Sequence, residues 1–167
     1  MKNKTNTIAV QGFGYVGAVN AVNVALSKEL SEYNVLCFEK KNKRTLDIIK
    51  NAEKGHFPYN TNDQTLIKNF KNLVRKKKIN FTFDSKDYQK TKIIIITINY
   101  DFKNIKKNKY NFLNSFQEII SNARTNSLII LETTVPPGTT EYLLKPMLDK
   151  IKKKKNTIFI YLMHLKG

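Results

Sequence analysis

Cysteine is almost absent from this chain of 167 residues, and several other scarcities narrow what the protein can be. The one thiol, Cys37, has no partner for an intrachain disulfide. That fits a reducing compartment, and its place inside an apolar run marks it as a buried structural thiol. Long hydrophobic runs are missing too. The longest centres on Ile93 to Ile96, far below the ~20 residues a membrane-crossing helix needs. The basic start, Met1 to Lys4, is followed by an apolar stretch that Gln11, Gly12 and Gly14 break at once, so no signal-peptide core is read and the cytoplasm is expected. Carboxylates are few: 13 Asp and Glu stand against 30 Lys and Arg, a formal charge of +17. Arginine occurs only at Arg44, Arg75 and Arg124, so the excess is lysine, which lacks the planar fork used in phosphate and base recognition. Lysine is abundant together with Asn and Ile, as AT-rich coding produces at tolerant surface positions. The basic runs 75–78 and 152–155 fall where helix C-termini are expected, where cations are favoured. No specific nucleic-acid site is read from this charge, only weak polyanion attraction at low salt. The two histidines, His56 and His164, stand alone, and neither a catalytic His nor a metal site is read from them.

What is present suits one globular domain with a single core, at 41% hydrophobic residues. Short β-branched runs at 7–11, 34–39, 80–83, 92–98, 127–131 and 157–162 read as strands. Between them, apolar residues three or four apart predict helices over 16–30, 43–53, 64–76, 112–123 and 140–153. This alternation predicts an α/β protein of the doubly wound kind, a six-stranded parallel sheet with helices on both faces. The strand around Ile93 to Ile96 is apolar on both sides, as a central parallel strand should be. No repeat or low-complexity linker interrupts it. Two loops are expected to be long, 54–63 and the lysine-rich 100–111, and the second leaves the strand edge where open α/β sheets bind ligands.

The first strand runs straight into Gly12, Phe13, Gly14, Tyr15, Val16 and Gly17, a GxGxxG pattern opening a helix. Each glycine has a physical task. Gly12 permits the tight turn, Gly14 lets backbone approach a pyrophosphate, and Gly17 lets the helix pack closely on the strand with its free N–H groups toward the phosphates. The second strand then ends at Glu39, close to where an acid meets the adenosine ribose hydroxyls of a dinucleotide. A carboxylate there favours NAD over NADP, because it repels a 2′-phosphate. Lys40, Lys41, Lys43 and Arg44 follow directly and could offset that repulsion.

A second cluster spans Glu132, Thr133, Thr134, Val135, Pro136, Pro137, Gly138, Thr139, Thr140 and Glu141. The prolines stop the ladder and Gly138 allows a turn. Thr139 is expected to cap the next helix, with Glu141 in its first turn. Corner-making alone does not account for Thr133 and Thr134, two hydroxyls at the ligand edge of the sheet.

Together, GFGYVG and the distant TTVPPGTTE resemble the N-terminal domain of the UDP-glucose/GDP-mannose dehydrogenase family, over nearly the whole chain. That family oxidises nucleotide sugars to uronic acids with two NAD. The resemblance implies a Rossmann-type NAD domain in which Gly12 to Gly17 bind the pyrophosphate. It gives Glu39 to the adenosine ribose, where the family usually has Asp, and Arg44 to a further cofactor contact. Ile98 and Asn99 match the start of the family's loop after the fourth strand. Thr133 and Thr134 match its pair near the nicotinamide, and Thr134 aligns with a threonine that helps position a catalytic water.

The chain departs from the family at Tyr100 and Asp101, where a Thr-Pro pair is usual, and around Tyr59 to Asp63, where a Glu-Pro-Gly-Leu motif is replaced. The family's acid/base lysine, its asparagine partner and its nucleophilic cysteine belong to a central helix and second domain that follow the sixth strand, and these are not found in residues 1–167. Cys37, inside the second strand, does not replace the nucleophile. The expectation is a single NAD-binding domain, not catalytically complete alone, that meets a nucleotide sugar only if a C-terminal half is supplied. The surface such a half would cover predicts a homo-oligomer or a separately encoded catalytic half. From a different class, the alternative is a noncatalytic basic module contacting nucleic acid or an acidic partner.

Overall fold

The computed structural model describes residues 6–100, 105–155 and 160–163. Its strands are β1 (Asn6–Gln11), β2 (Tyr33–Phe38), β3 (Ile79–Thr82), β4 (Thr91–Ile96), β5 (Leu128–Leu131) and β6 (Ile160–Met163). The helices are α1 (Tyr15–Leu26), α2 (Lys43–Glu53), α3 (Gln64–Arg75), α4 (Ile105–Asn122) and α5 (Lys145–Lys155). The strands form one sheet in the order β3-β2-β1-β4-β5-β6, and all pairs are parallel. The chain therefore winds outward from β1 to β3, returns to the centre and winds out the other way from β4, so the order reverses between β1 and β4. This is the doubly wound α/β class read from the sequence. The start of the expected sixth strand, 157–159, and His164 and Asp101 lie outside the described residues.

Strand periodicity divides the core into two layers. Ile8 and Val10 of β1 join Ile95, Val35 and Cys37 in a cluster with α1, α2 and α3. On the opposite face, Ala9, Ile94, Ile96 and Phe38 pack with Phe112, Phe116, Ile119 and Ile120 of α4 and Leu148 of α5. Cys37 is buried, as expected.

Helix ends follow their capping chemistry. Asn42 and Thr45 form a reciprocal capping box at α2, and the Asp63 carboxylate accepts from the Leu66 amide at α3, 2.9 Å. The first helix stops at Leu26 rather than at residue 30, because Ser27 turns extended (φ −60°, ψ 128°) and its hydroxyl donates to Glu29, 2.8 Å. Local bonding of this kind draws serine out of a helix. Much of the stretch read as a loop at 100–111 belongs to α4, which starts at Ile105. Its lysines look like loop residues by polarity, yet lysine is a good helix former. Thr139 does not cap the last helix. It is buried in helical conformation with no side-chain cap bond, at the head of a π-helical turn, Thr140–Leu144, that leads into α5. A short 3-10 turn, Ser85–Lys90, buries Tyr88 beneath the carboxyl edge of the sheet.

Candidate functional site

The glycine corner lies at the carboxyl end of β1, beside the point where strand order reverses. Gly12 adopts φ +95°, and a Cβ there would come within 3.1 Å of the Thr97 and Ile98 backbone. Gly17 is tighter: its Cβ would sit 1.9 Å from the Gly12 carbonyl oxygen. Gly14 differs from both, since a Cβ there would meet nothing within 4 Å. Packing therefore requires the first and last glycines, whereas the middle one keeps a space clear outside the protein's own packing.

Side chains from four distant segments hold the corner in place. The Thr97 hydroxyl donates to the Gly12 carbonyl at 2.7 Å. The Tyr59 hydroxyl donates to the Phe13 carbonyl, and the Phe13 amide donates to Glu39 Oε1 at 2.6 Å. Phe13 itself turns inward, buried edge-on against Phe81 at 5.1 Å between ring centroids. Both carbonyls of the turn are thus engaged, and the amides at the start of α1 remain. With Gly14 as its N-cap, α1 has no capping side chain, unlike α2 and α3, and no acid in its first turn. Its N-terminus presents unsatisfied N–H groups and the positive end of the helix dipole, which favours an anion.

A cavity opens on each side of this corner. One, of about 680 Å³, is lined by Gly14, Tyr15, Val16, Thr97, Ile98, Asn99, Tyr100, Glu132, Thr133 and Thr134. The other, of about 280 Å³, is lined by Gln11, Phe38, Glu39, Lys40, Lys41, Phe83, Ser85, Tyr88 and Glu118. Below the smaller cavity, Tyr88 stacks on Phe38 (4.0 Å, 6°) and donates its hydroxyl to the Gln11 amide oxygen. Burial, reinforced by Glu118 and Glu39, pushes the Tyr88 phenol far above its ordinary range, so it stays protonated and donating. Burial also raises the Glu39 carboxyl, against the opposing pull of the Phe13 and Lys40 amides and of Arg44 and Lys40.

The residues read from the sequence thus fall into three groups. Gly14, Tyr15, Val16, Ile98, Asn99, Thr133 and Thr134 share the larger cavity, and Glu39 lines the smaller one. Arg44 is exposed in the first turn of α2, close enough to act electrostatically on Glu39. Phe13, Gly12 and Gly17 serve through backbone and packing. Thr133 also ties β5 to β4, its hydroxyl donating to the Ile98 carbonyl at 2.8 Å. The sequence assigns no role in the site to Thr97, Tyr59, Gln11, Tyr88, Asn20 or Glu132. His56 is exposed, and among the described residues no group of His, Cys, Asp or Glu could hold a metal ion. Among the same residues no helix is long and apolar enough to cross a membrane.

An uncapped helix N-terminus at a strand-order reversal, a clear space at the middle glycine and a cavity on either side define a dinucleotide-binding Rossmann domain. The fit is with a molecule that has an anionic centre and two larger ends. Residues 6–165 match the model of the UDP-glucose/GDP-mannose dehydrogenase family, NAD binding domain. The chain belongs to that family, and NAD is its cofactor.

Solved structures agree in fold. An NDP-N-acetyl-D-galactosaminuronic acid dehydrogenase from Methanosarcina mazei Go1 superposes with a TM-score of 0.77 at 19% identity, over 99% of this chain and 36% of that one. A UDP-D-ManNAc dehydrogenase from Pyrococcus horikoshii gives 0.72 at 20% identity, over 96% and 37%. The UDP-N-acetyl-mannosamine dehydrogenase Cap5O from S. aureus gives 0.76 at 14%, over 95% and 36%. This chain therefore spans little more than a third of their length. No curated protein sequence gives a significant match.

Proposed function

We propose that the chain is the cofactor-binding part of a nucleotide-sugar 6-dehydrogenase, which oxidises a UDP- or GDP-sugar to the uronic acid. The observation that carries this reading is the open position at Gly14, flanked by the bare start of α1 and by a cavity on each side. In this reading the amides from Gly14 to Gly17 hold the diphosphate. Glu39 accepts from the adenosine ribose hydroxyls beside the smaller cavity, with Arg44 adding a cationic contact. Ile98, Asn99, Thr133 and Thr134 line the nicotinamide side, where Thr134 positions a water. Bound NAD supplies the hydride acceptor.

Oxidising an alcohol to an acid removes a hydride twice, and the aldehyde formed between has to be held. Cys37 cannot hold it, because it is buried within β2 and burial pushes its thiol well above the ordinary range. The nucleophilic thiol, the acid/base group and most of the sugar pocket therefore come from a further domain, on this polypeptide or another. A second copy of the chain or a catalytic partner covers the surface that faces that domain, and the cytoplasm is where the reaction runs.

Calorimetric titration with NAD is the direct test of the binding step. Saturable binding is expected, and no binding at millimolar NAD refutes the reading. Retention on a polyanion at physiological salt without any NAD binding would replace it with the basic-module reading. For the reaction, a UDP- or GDP-hexose supplied with the thiol-bearing domain should reduce two NAD per sugar. A stoichiometry of one would rule out oxidation to the acid.

A further inference from the structure

Glu132 is the sole charged side chain among the described residues lining the larger cavity; its neighbours there, including Thr97, Asn99, Thr133 and Thr134, are neutral. It is held firmly. Its amide donates to the Ile96 carbonyl at 3.0 Å, and its carboxylate accepts from the side-chain amide of Asn20 on α1, 112 positions away. The residue is half-buried, so the charge belongs to the cavity wall rather than to a freely solvated surface chain.

We propose that Glu132, positioned by Asn20, sets the redox preference of the bound cofactor, favouring oxidised over reduced nicotinamide. The physical cause is charge. The oxidised ring is cationic and the reduced ring is neutral, so a fixed carboxylate in a partly enclosed cavity attracts one form and is indifferent to the other. Asn20 contributes an N–H donor that keeps the carboxylate oriented along the wall. A dehydrogenase benefits directly, since the site loads the oxidant and weakens its hold once the hydride has arrived. The inference rests on the reading that the nicotinamide half enters this cavity.

Dissociation constants for NAD, NADH and ADP-ribose, measured by calorimetry on the unmodified chain and on Glu132→Gln, test it. Glutamine keeps the size and can still accept from Asn20, so the fold should be retained. The NADH-to-NAD ratio of dissociation constants should fall about tenfold, through weaker NAD binding with NADH little changed. ADP-ribose, which lacks the nicotinamide, should bind both forms equally. Glu132→Asp should restore part of the ratio, and Asn20→Leu should lower it by a smaller factor than Glu132→Gln. An unchanged ratio overturns the proposal, as does equal weakening of all three ligands, which would mean a structural role. If the unmodified chain binds ADP-ribose as tightly as either nicotinamide form, the cavity assignment fails and the proposal with it. If it binds none of the three, the cofactor reading itself has failed.

Discussion

Replacing Gly14 by valine separates ligand space from folding space more cleanly than any other change at the glycine corner. Gly14 has φ −76° and ψ −173°, a conformation that any residue adopts. Nothing lies within 4 Å of a Cβ built on it. Gly14→Val should therefore fold with a Tm close to that of the unmodified chain. Its added methyl groups would occupy the space through which a diphosphate reaches the α1 amides. NAD at a hundred times its Kd adds about 2.7 kcal/mol of stability. A chain of this length shifts by roughly 2–4 °C per kcal/mol, so Tm should rise by about 5–11 °C. Gly14→Val should abolish that rise.

The neighbouring glycines supply the control. Gly17→Ala would force a Cβ to 1.9 Å from the Gly12 carbonyl oxygen and 2.8 Å from the Thr97 hydroxyl, so its own Tm should drop, by about 1–3 kcal/mol of overpacking. Gly12→Ala adds about 1–3 kcal/mol of backbone strain at φ +95°. Differential scanning fluorimetry on the four chains with and without NAD reads both quantities at once. A normal NAD shift in Gly14→Val would show that the diphosphate does not pass the middle glycine. A collapsed Tm without ligand would show that the clear space belongs to the fold.

Four further outcomes are expected. Glu39→Gln should leave the ligand-free protein as stable or more stable at neutral pH while weakening NAD, as calorimetry and urea unfolding would show. The carboxyl is raised in the folded chain, so its ionised form costs stability once pH climbs through the folded value, and glutamine removes that cost while still accepting from the Phe13 amide. By the same linkage, hydroxyl donation from a ribose lowers the Glu39 pKa, so NAD affinity should strengthen as pH rises through the raised carboxyl range; a flat profile would count against ribose contact there. Tyr59→Phe removes the donor to the Phe13 carbonyl and should cost about 1–2 kcal/mol with a matching loss of NAD affinity. Tyr88→Phe leaves the buried Gln11 amide oxygen without its donor and should lower the urea midpoint by an amount equivalent to about 1–3 kcal/mol; an unchanged midpoint would mean the bond is not formed in solution.

The outline of the fold was readable because it is written in local periodicity. Ile93 to Ile96, Leu128 to Leu131 and the glycine spacing each declare themselves within a few residues. Glu39 was readable for the same reason, as an acid placed at the end of a strand. The bonds that hold the corner carry no such signal. Thr97 reaches Gly12 across 85 positions, Tyr59 reaches Phe13 across 46 and Asn20 reaches Glu132 across 112. A threonine after a strand or a tyrosine in a loop has many ordinary roles, and only the sheet order brings these to one edge. The start of α4 was obscured for a different reason. Its lysines and asparagines blur the apolar period until Phe112 and Phe116, although the chain is already helical at Ile105.

Phe13 has a side chain in the hydrophobic interior while its amide and carbonyl bond Glu39 and Tyr59 at the glycine corner. Substitutions at Phe70 or Phe81, which face its ring, would then be scored in a genetic screen as defects in cofactor use, although neither residue lines either cavity. Such a phenotype map would draw the boundary of the active region around part of the α1 to α3 layer, well inside what ligand contacts alone would enclose.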